Sequence, residues 1–206
     1  EKHNFNFHPM SQLRKSILER RTSKPVTFSK YPPDLQLVRQ LIEIARNAPN
    51  HHRTEPARFY LLDEEKIKNI GQLYGELVAG DGSDPQLVER GKKKTMEWGQ
   101  CPGLLIITCH TDQKSELVQK KPEVVEENYA TCCCICQNLL LLFQEEGISS
   151  KWSTGPVWKH PQFSKTVGLL SPEHERVIAL IFYGKSTNQA PPRALSPIDQ
   201  HLVDYH

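Results

Sequence analysis

The chain has 206 residues, 37% of them hydrophobic, and a net charge of +2 from 26 basic and 24 acidic side chains. That length suffices for one domain with a sizeable core. The near-balance of charge excludes a general pull toward nucleic acid or a membrane surface, so any anion site has to be local.

Six cysteines are present, four of them crowded at Cys132, Cys133, Cys134 and Cys136. A secreted disulfide scaffold instead spaces its cysteines through loops. The N-terminus lacks the apolar stretch of a signal peptide. The most apolar run, residues 129–143, carries Gln137 and Asn138 and falls short of the roughly 20 residues that a spanning helix needs. A reducing, cytoplasmic setting with no membrane partner is expected.

In chain order, residues 1–10 read as a tail. Residues 11–21 fit a first helix capped by Ser11, with Leu13, Ile17 and Leu18 on one face. Residues 22–33 form a proline-bearing loop. Asp34 caps a second helix whose buried face is predicted to carry Leu35, Val38, Ile42 and Ala45, ending at Pro49. Residues 57–62 read as a strand, 64–79 and 84–98 as helices, and 103–110 as a core strand. Pro122 is expected to open one long helix running to Glu146 and closed by Gly147. Its stretch 129–143 is apolar nearly all round, as in a central buried helix. A short strand at 148–152, a helix at 158–168 and a strong strand at 177–183 follow. The last twenty residues hold Pro191, Pro192 and Pro197, and must lie over something. This order favours an α+β domain, a sheet packed against helices.

Three segments can carry chemistry. Arg20-Arg21-Thr22-Ser23-Lys24 places two guanidiniums, two hydroxyls and an ammonium where a helix gives way to a loop, which suits a phosphate. The competing reading is basic residues favoured by the helix dipole. Residues 48–56, Ala-Pro-Asn-His-His-Arg-Thr-Glu-Pro, form a polar loop between fixed ends. Its adjacent His51 and His52 are expected not to aim at one point, and no acidic or sulfur ligand stands at a metal spacing, so no metal is expected. Residues 147–156 end the buried helix and present Trp152, Ser153 and Thr154, whose groups could hydrogen-bond a planar heterocycle. Cys133 and Cys136 form a C-x-x-C, but deep inside an apolar helix they read as space-filling thiols, not as a redox pair.

Taken together at these separations, Arg20-Arg21-Thr22, Ala48-Pro49-Asn50, the run 139–147 with Trp152, and the strand ending at Gly184 resemble the nitroreductase family of flavoproteins. His51 after Asn50 is similar to its compact branch. The resemblance covers residues 13–183. It implies a central, mostly antiparallel sheet flanked by helices, in an intertwined homodimer. The FMN-binding domain would span 11–184, and 185–206 would wrap the partner subunit. Arg20, Arg21 and Thr22 would bind the FMN phosphate and ribityl chain, and Lys24 would lie by the pyrimidine edge, where negative charge grows on reduction. Asn47 and His51 would reach the flavin of the other subunit, and Trp152, Ser153 and Thr154 would meet the isoalloxazine and ribityl groups. Arg193 is a further phosphate candidate in the tail.

The implied activity is ping-pong transfer of hydride from NADPH or NADH to a small acceptor such as a nitroaromatic or quinone, with no catalytic side chain. Ala57, Glu55 and Asn47 depart from the family pattern, which more often has an aromatic, a Gln and a basic residue there. These departures bear on the substrate pocket more than on the flavin. Alternatives are a specialised relative that dehalogenates or oxidises heterocycles, a flavin-binding protein without donor chemistry, and a metal or thiol-redox protein built on the cysteines.

Overall fold

A computed structural model describes residues 11–188, 191 and 193–205. The expected tail at 1–10 lies outside them. Seven α-helices and four strands are present among the described residues: α1 (Gln12–Glu19), α2 (Leu35–Ala45), β1 (Ala57–Leu61), α3 (Glu64–Ala79), α4 (Pro85–Gly99), β2 (Gly103–His110), α5 (Glu116–Lys120), α6 (Val124–Glu145), β3 (Ser149–Ser153), α7 (Phe163–Val167) and β4 (Glu175–Gly184). The strands form one antiparallel sheet in the order β1-β2-β4-β3.

Strand periodicity splits the core into two layers. Leu105 and Ile107 of β2 and Ile181 and Tyr183 of β4 face α2 and α6, where Val38, Leu41, Ile135, Leu139 and Phe143 pack. Leu104 and Ile106 of β2, with Leu180 and Phe182 of β4, face the opposite layer of Ile70, Trp98 and Phe163. The sheet is thus covered on both sides, which explains the unbroken apolar run of β2.

Helix starts follow their caps. Ser11, Asp34, Asp63 and Asp84 each accept a backbone N–H of the first turn, which satisfies donors that the helix leaves open. Gly147 takes φ 67° just past α6, the left-handed stop that glycine supplies.

Three boundaries and one buried face differ from the pattern. α2 ends at Ala45, before Pro49, because the Asn47 side-chain amide donates to the carbonyls of Glu43 (3.3 Å) and Ile44 (3.1 Å) and closes the helix early. Its buried face carries Val38, Leu41 and Ala45, whereas Leu35 is 52% exposed, since the contact with α6 starts one turn later. The helix expected from Pro122 is preceded by the separate α5 and begins at Val124. The helix expected at 158–168 is a 3-10 turn (Pro156–Lys159) followed by α7, because Pro161 brings no N–H to a continuous helix. α6 buries Cys132, Ile135, Cys136, Leu139, Leu140 and Phe143, while Ala130, Cys134 and Gln137 stay exposed. Among the described residues no helix is long and apolar enough to cross a membrane.

Candidate functional site

The basic segment leaves α1 and is stitched to the sheet. Thr22 bridges Ser150 in parallel, and the Ser23 N–H donates to the Ser150 carbonyl at 3.0 Å. Further on, Phe28 bridges Ser186, and the Ser29 N–H donates to the Lys185 carbonyl at 2.7 Å. Residues 22–29 therefore run along the β3 edge and the exit of β4.

Two cationic poles lie near the start of this strip, where Thr22 and Ser23 meet Ser150. At the first, half-buried Arg20 has its pKa lowered by burial, then by Arg21, then by Arg193. All three causes disfavour its charge, so the three guanidiniums share one neighbourhood that an anion would relieve. Arg21 is held in place: its Nη1 donates to the carbonyls of Leu18 (2.6 Å) and Arg20 (2.9 Å), and its Nε to that of Pro191 (3.2 Å). The tail thus comes back over the basic segment.

At the second pole, half-buried Lys151 has its pKa lowered by burial and by Lys94 and Lys24, with Glu97 opposing. Lys94 and Glu97 form an ion pair. Sequence reasoning found Lys24 but missed Lys94 and Lys151. Nothing local to residues 84–98 marks Lys94, because α4 reaches β3 only through the fold.

The remaining expected residues are placed as follows. Thr22, Lys24 and Thr154 are exposed, and Ser153 is half-buried. The Ser153 hydroxyl accepts from the Gly155 N–H at 3.3 Å. The Trp152 indole N–H donates to the Ile178 carbonyl at 3.3 Å, and the ring packs on the α6 side of the core. Its anchoring role is therefore clear, and its N–H is already used. Thr154 also borders a cavity of about 400 Å³ beneath β4, with Tyr129, Trp158, Glu175 and Arg176 on its walls.

The polar loop is latched to α6. The Thr54 N–H donates to Asn50 Oδ1 (3.1 Å), its hydroxyl to Asn128 Oδ1 (2.5 Å), and Asn128 Nδ2 to Thr111 Oγ1 (2.9 Å). Thr131 donates to the Pro49 carbonyl at 2.9 Å. Arg53 and Glu55 sit at φ 51° and 46°, a conformation non-glycine residues take only when their surroundings hold them there. Glu55 pairs with Arg46 at 3.1 Å, which offsets the charge its position introduces. No acidic ligand stands at a metal spacing along the chain, but Glu127 of α6 faces the two histidines in space, with its Oε2 3.7 Å from His52 Nε2. The fold, not the spacing along the chain, supplies that carboxylate.

All six cysteines are free. The thiol neighbours are Cys109 of β2 and Cys132 of α6, outside the C-x-x-C. A hydrogen bond from Cys132 lowers the Cys109 pKa against the upward pull of burial, with Thr111 and Arg176 helping. Burial pushes Cys136 up, which keeps it a neutral, packed thiol.

The sequence model of the nitroreductase family matches residues 17–185. Among curated proteins, "Putative NAD(P)H nitroreductase YfhC" of Bacillus subtilis (strain 168) is 28% identical over 201 residues, covering 96% of each chain. Among solved structures, a nitroreductase-like family protein from Bacillus cereus superposes with a TM-score of 0.75 at 22% identity, covering 96% of this chain and 98% of its own. A nitroreductase with bound FMN from Desulfitobacterium hafniense DCB-2 gives 0.70 at 18% identity, covering 96% and 100%. The two structures share the fold, and the match over residues 17–185 takes in the basic segment, the polar loop, the long helix and all four strands. The chain belongs to the nitroreductase family.

Proposed function

We propose that this chain is an FMN-dependent oxidoreductase that takes hydride from NADPH or NADH and passes electrons to a small organic acceptor, a nitroaromatic or quinone. The observation that carries this reading is the basic segment stitched to β3 at Ser150, with Arg21 fixed against the Pro191 carbonyl, Arg20, Arg21 and Arg193 sharing one neighbourhood and Lys24, Lys94 and Lys151 another. FMN has an anionic phosphate at one end and a ring edge that gains negative charge at the other, so the two poles fit it. The relative named as an NAD(P)H nitroreductase and the FMN-bound structural neighbour support the same reading.

When bound, FMN supplies the two-electron chemistry, so no side chain has to act as nucleophile. Arg20, Arg21 and Arg193 neutralise the phosphate with planar donor forks, and the Thr22 hydroxyl adds a donor. Lys24, supported by Lys94 and Lys151, stabilises negative charge at the ring edge. Trp152 fixes β3, and Ser153 and Thr154 at its end would be the residues to hydrogen-bond the ribityl chain and ring. Asn47 and His51 would reach the site of the second subunit in a homodimer, and the tail beyond Arg193 would cover the partner. Donor and acceptor use one open face in turn, which gives ping-pong kinetics.

The test is a visible spectrum of the purified protein with added FMN, followed by anaerobic NADPH. Flavin absorbance that bleaches with NADPH and returns with a quinone is the expected result. Arg20→Ala should weaken FMN binding about tenfold or more, the loss of one or two charge-assisted hydrogen bonds. A colourless protein that takes up no FMN sinks the proposal.

A further inference from the structure

We infer that His51, His52 and Glu127 form a binding site for a divalent transition metal of the zinc class, built on the loop whose His51 the proposed function turns toward the second subunit's flavin. The nitrogen and carboxylate ligand atoms of the three residues all lie within 4.8 Å of one another. Adjacent side chains ordinarily diverge. Here both histidines stand in a tight turn, their ring centroids 4.3 Å apart and their planes crossing at 75°.

A second, independent observation points to a ligand. The Glu127 side chain is 37% exposed, yet its Oε2 is shielded from solvent and is the one buried side-chain polar atom among the described residues with no hydrogen-bond partner. Such an orphan is costly and calls for an explanation. Its nearest cationic candidate, His52 Nε2, stands 3.7 Å away, beyond hydrogen-bond range. Two ligands that each hold one zinc ion at about 2.0–2.1 Å in tetrahedral geometry are roughly 3.3 Å apart. The gap is thus too wide for a hydrogen bond and close to the spacing that two ligands of one ion require.

The surroundings hold the site in shape. The Asn50–Thr54–Asn128–Thr111 chain ties the loop to α6 on one side. The Thr131 to Pro49 bond ties it again further along the helix. Neither tie uses a ligand atom. The strained φ of Arg53 and Glu55 is held by the same latch. Ligand groups kept in place by bonds they do not themselves make are what a metal site requires of its scaffold.

Two imidazoles and one carboxylate select zinc or cobalt over magnesium or calcium, which prefer all-oxygen sets. Three protein ligands leave a fourth position open, and His51 is exposed. An ion there would clamp the loop 49–55 to α6.

The experiment is calorimetric titration of the FMN-saturated protein with ZnCl2, and with CoCl2 followed by visible spectroscopy. One equivalent of zinc per chain is expected, with a raised melting temperature and no response to MgCl2. Glu127→Gln and His51→Ala should each lower zinc affinity by more than the roughly 10–100-fold that losing even an outer partner costs. His51 is exposed, so its variant keeps the readout usable if Glu127→Gln folds poorly. Cys133→Ser and Cys134→Ser should leave binding unchanged. No binding, binding that survives both ligand variants, or a thiolate-to-cobalt charge-transfer band would each overturn the proposal. Flavin-free protein should take up zinc in the same way, so a failure here is distinct from a failure to bind FMN.

Discussion

Glu175 shows how a single buried carboxylate organises one end of the sheet. Its oxygens accept from the hydroxyls of Tyr60 (2.7 and 2.8 Å) and Thr108 (2.5 Å) and from the Ser171 N–H (2.9 Å), joining β1, β2 and β4. Burial alone would raise its pKa, but bonds from Thr108, Tyr60 and Ser171 outweigh it and leave the value lowered. The same burial and contact push Tyr60 up to about 12. A carboxylate with a lowered folded pKa contributes stability above its unfolded pKa. That contribution is lost as pH falls through the folded value. Glu175→Gln should therefore cost about 1–3 kcal/mol at neutral pH, the range for hydrogen bonds to a charged group. The deficit should shrink once the pH drops below the ordinary carboxylate range. Urea midpoints of both proteins at neutral and acid pH measure this, and a deficit that does not change with pH would refute the electrostatic account.

Among the elements, the α3–α4 hairpin depends on glycine for its close approach. A methyl group on Gly71 would meet the Gly99 backbone nitrogen at 2.5 Å, and one on Gly91 would meet the Gly75 carbonyl at 2.6 Å. These neighbours are backbone, so relief requires the helices to separate. Separation would shift Trp98, which stacks on Tyr74 and packs edge-on against Phe182, and with it Lys94 and Glu97 at the second cationic pole. Gly71→Ala should destabilise by about 1–3 kcal/mol, the usual cost of overpacking. Thermal melts read the loss, and a weaker FMN affinity should accompany it. An unchanged melting temperature would show that α3 and α4 can part without cost.

At the scale of the whole molecule, the single chain leaves apolar surface uncovered. Leu13, Ile17 and Leu18 of α1 are 60%, 53% and 60% exposed, and Leu195, Ile198, Leu202 and Val203 of the tail are also exposed. Apolar side chains left exposed together on a helix and on the tail fit an interface. The homodimer reading predicts that light scattering gives twice the chain mass, and that Ile17→Glu moves the protein toward monomer while retaining helix content. A monomeric wild type at micromolar concentration would contradict it. The exposed Cys134 and Gln137 on α6 belong to the same question, since a helix apolar nearly all round is otherwise hard to reconcile with one open face.

The sequence by itself determined what depends on neighbours along the chain. Ser11 and Asp34 mark helix starts because an N-cap acts within three residues. The apolar runs at 103–110 and 177–183 mark core strands, and Gly147 stops α6 for reasons of local backbone geometry. The basic run Arg20–Lys24 and its spacing from Ala48-Pro49-Asn50 and Trp152 made the family legible as well. Only the tertiary structure decided which distant side chains meet. Strand order β1-β2-β4-β3 sets Cys109 beside Cys132. Packing of α4 against the sheet brings Lys94 toward Lys24 and Lys151, and the latch between loop and α6 turns Glu127 to His51 and His52. Periodicity encodes which face of an element is apolar, but it carries no record of what that face will touch. The same limit explains the errors at Leu35 and at 158–168, where the partner surface and a proline overrode an otherwise helical pattern.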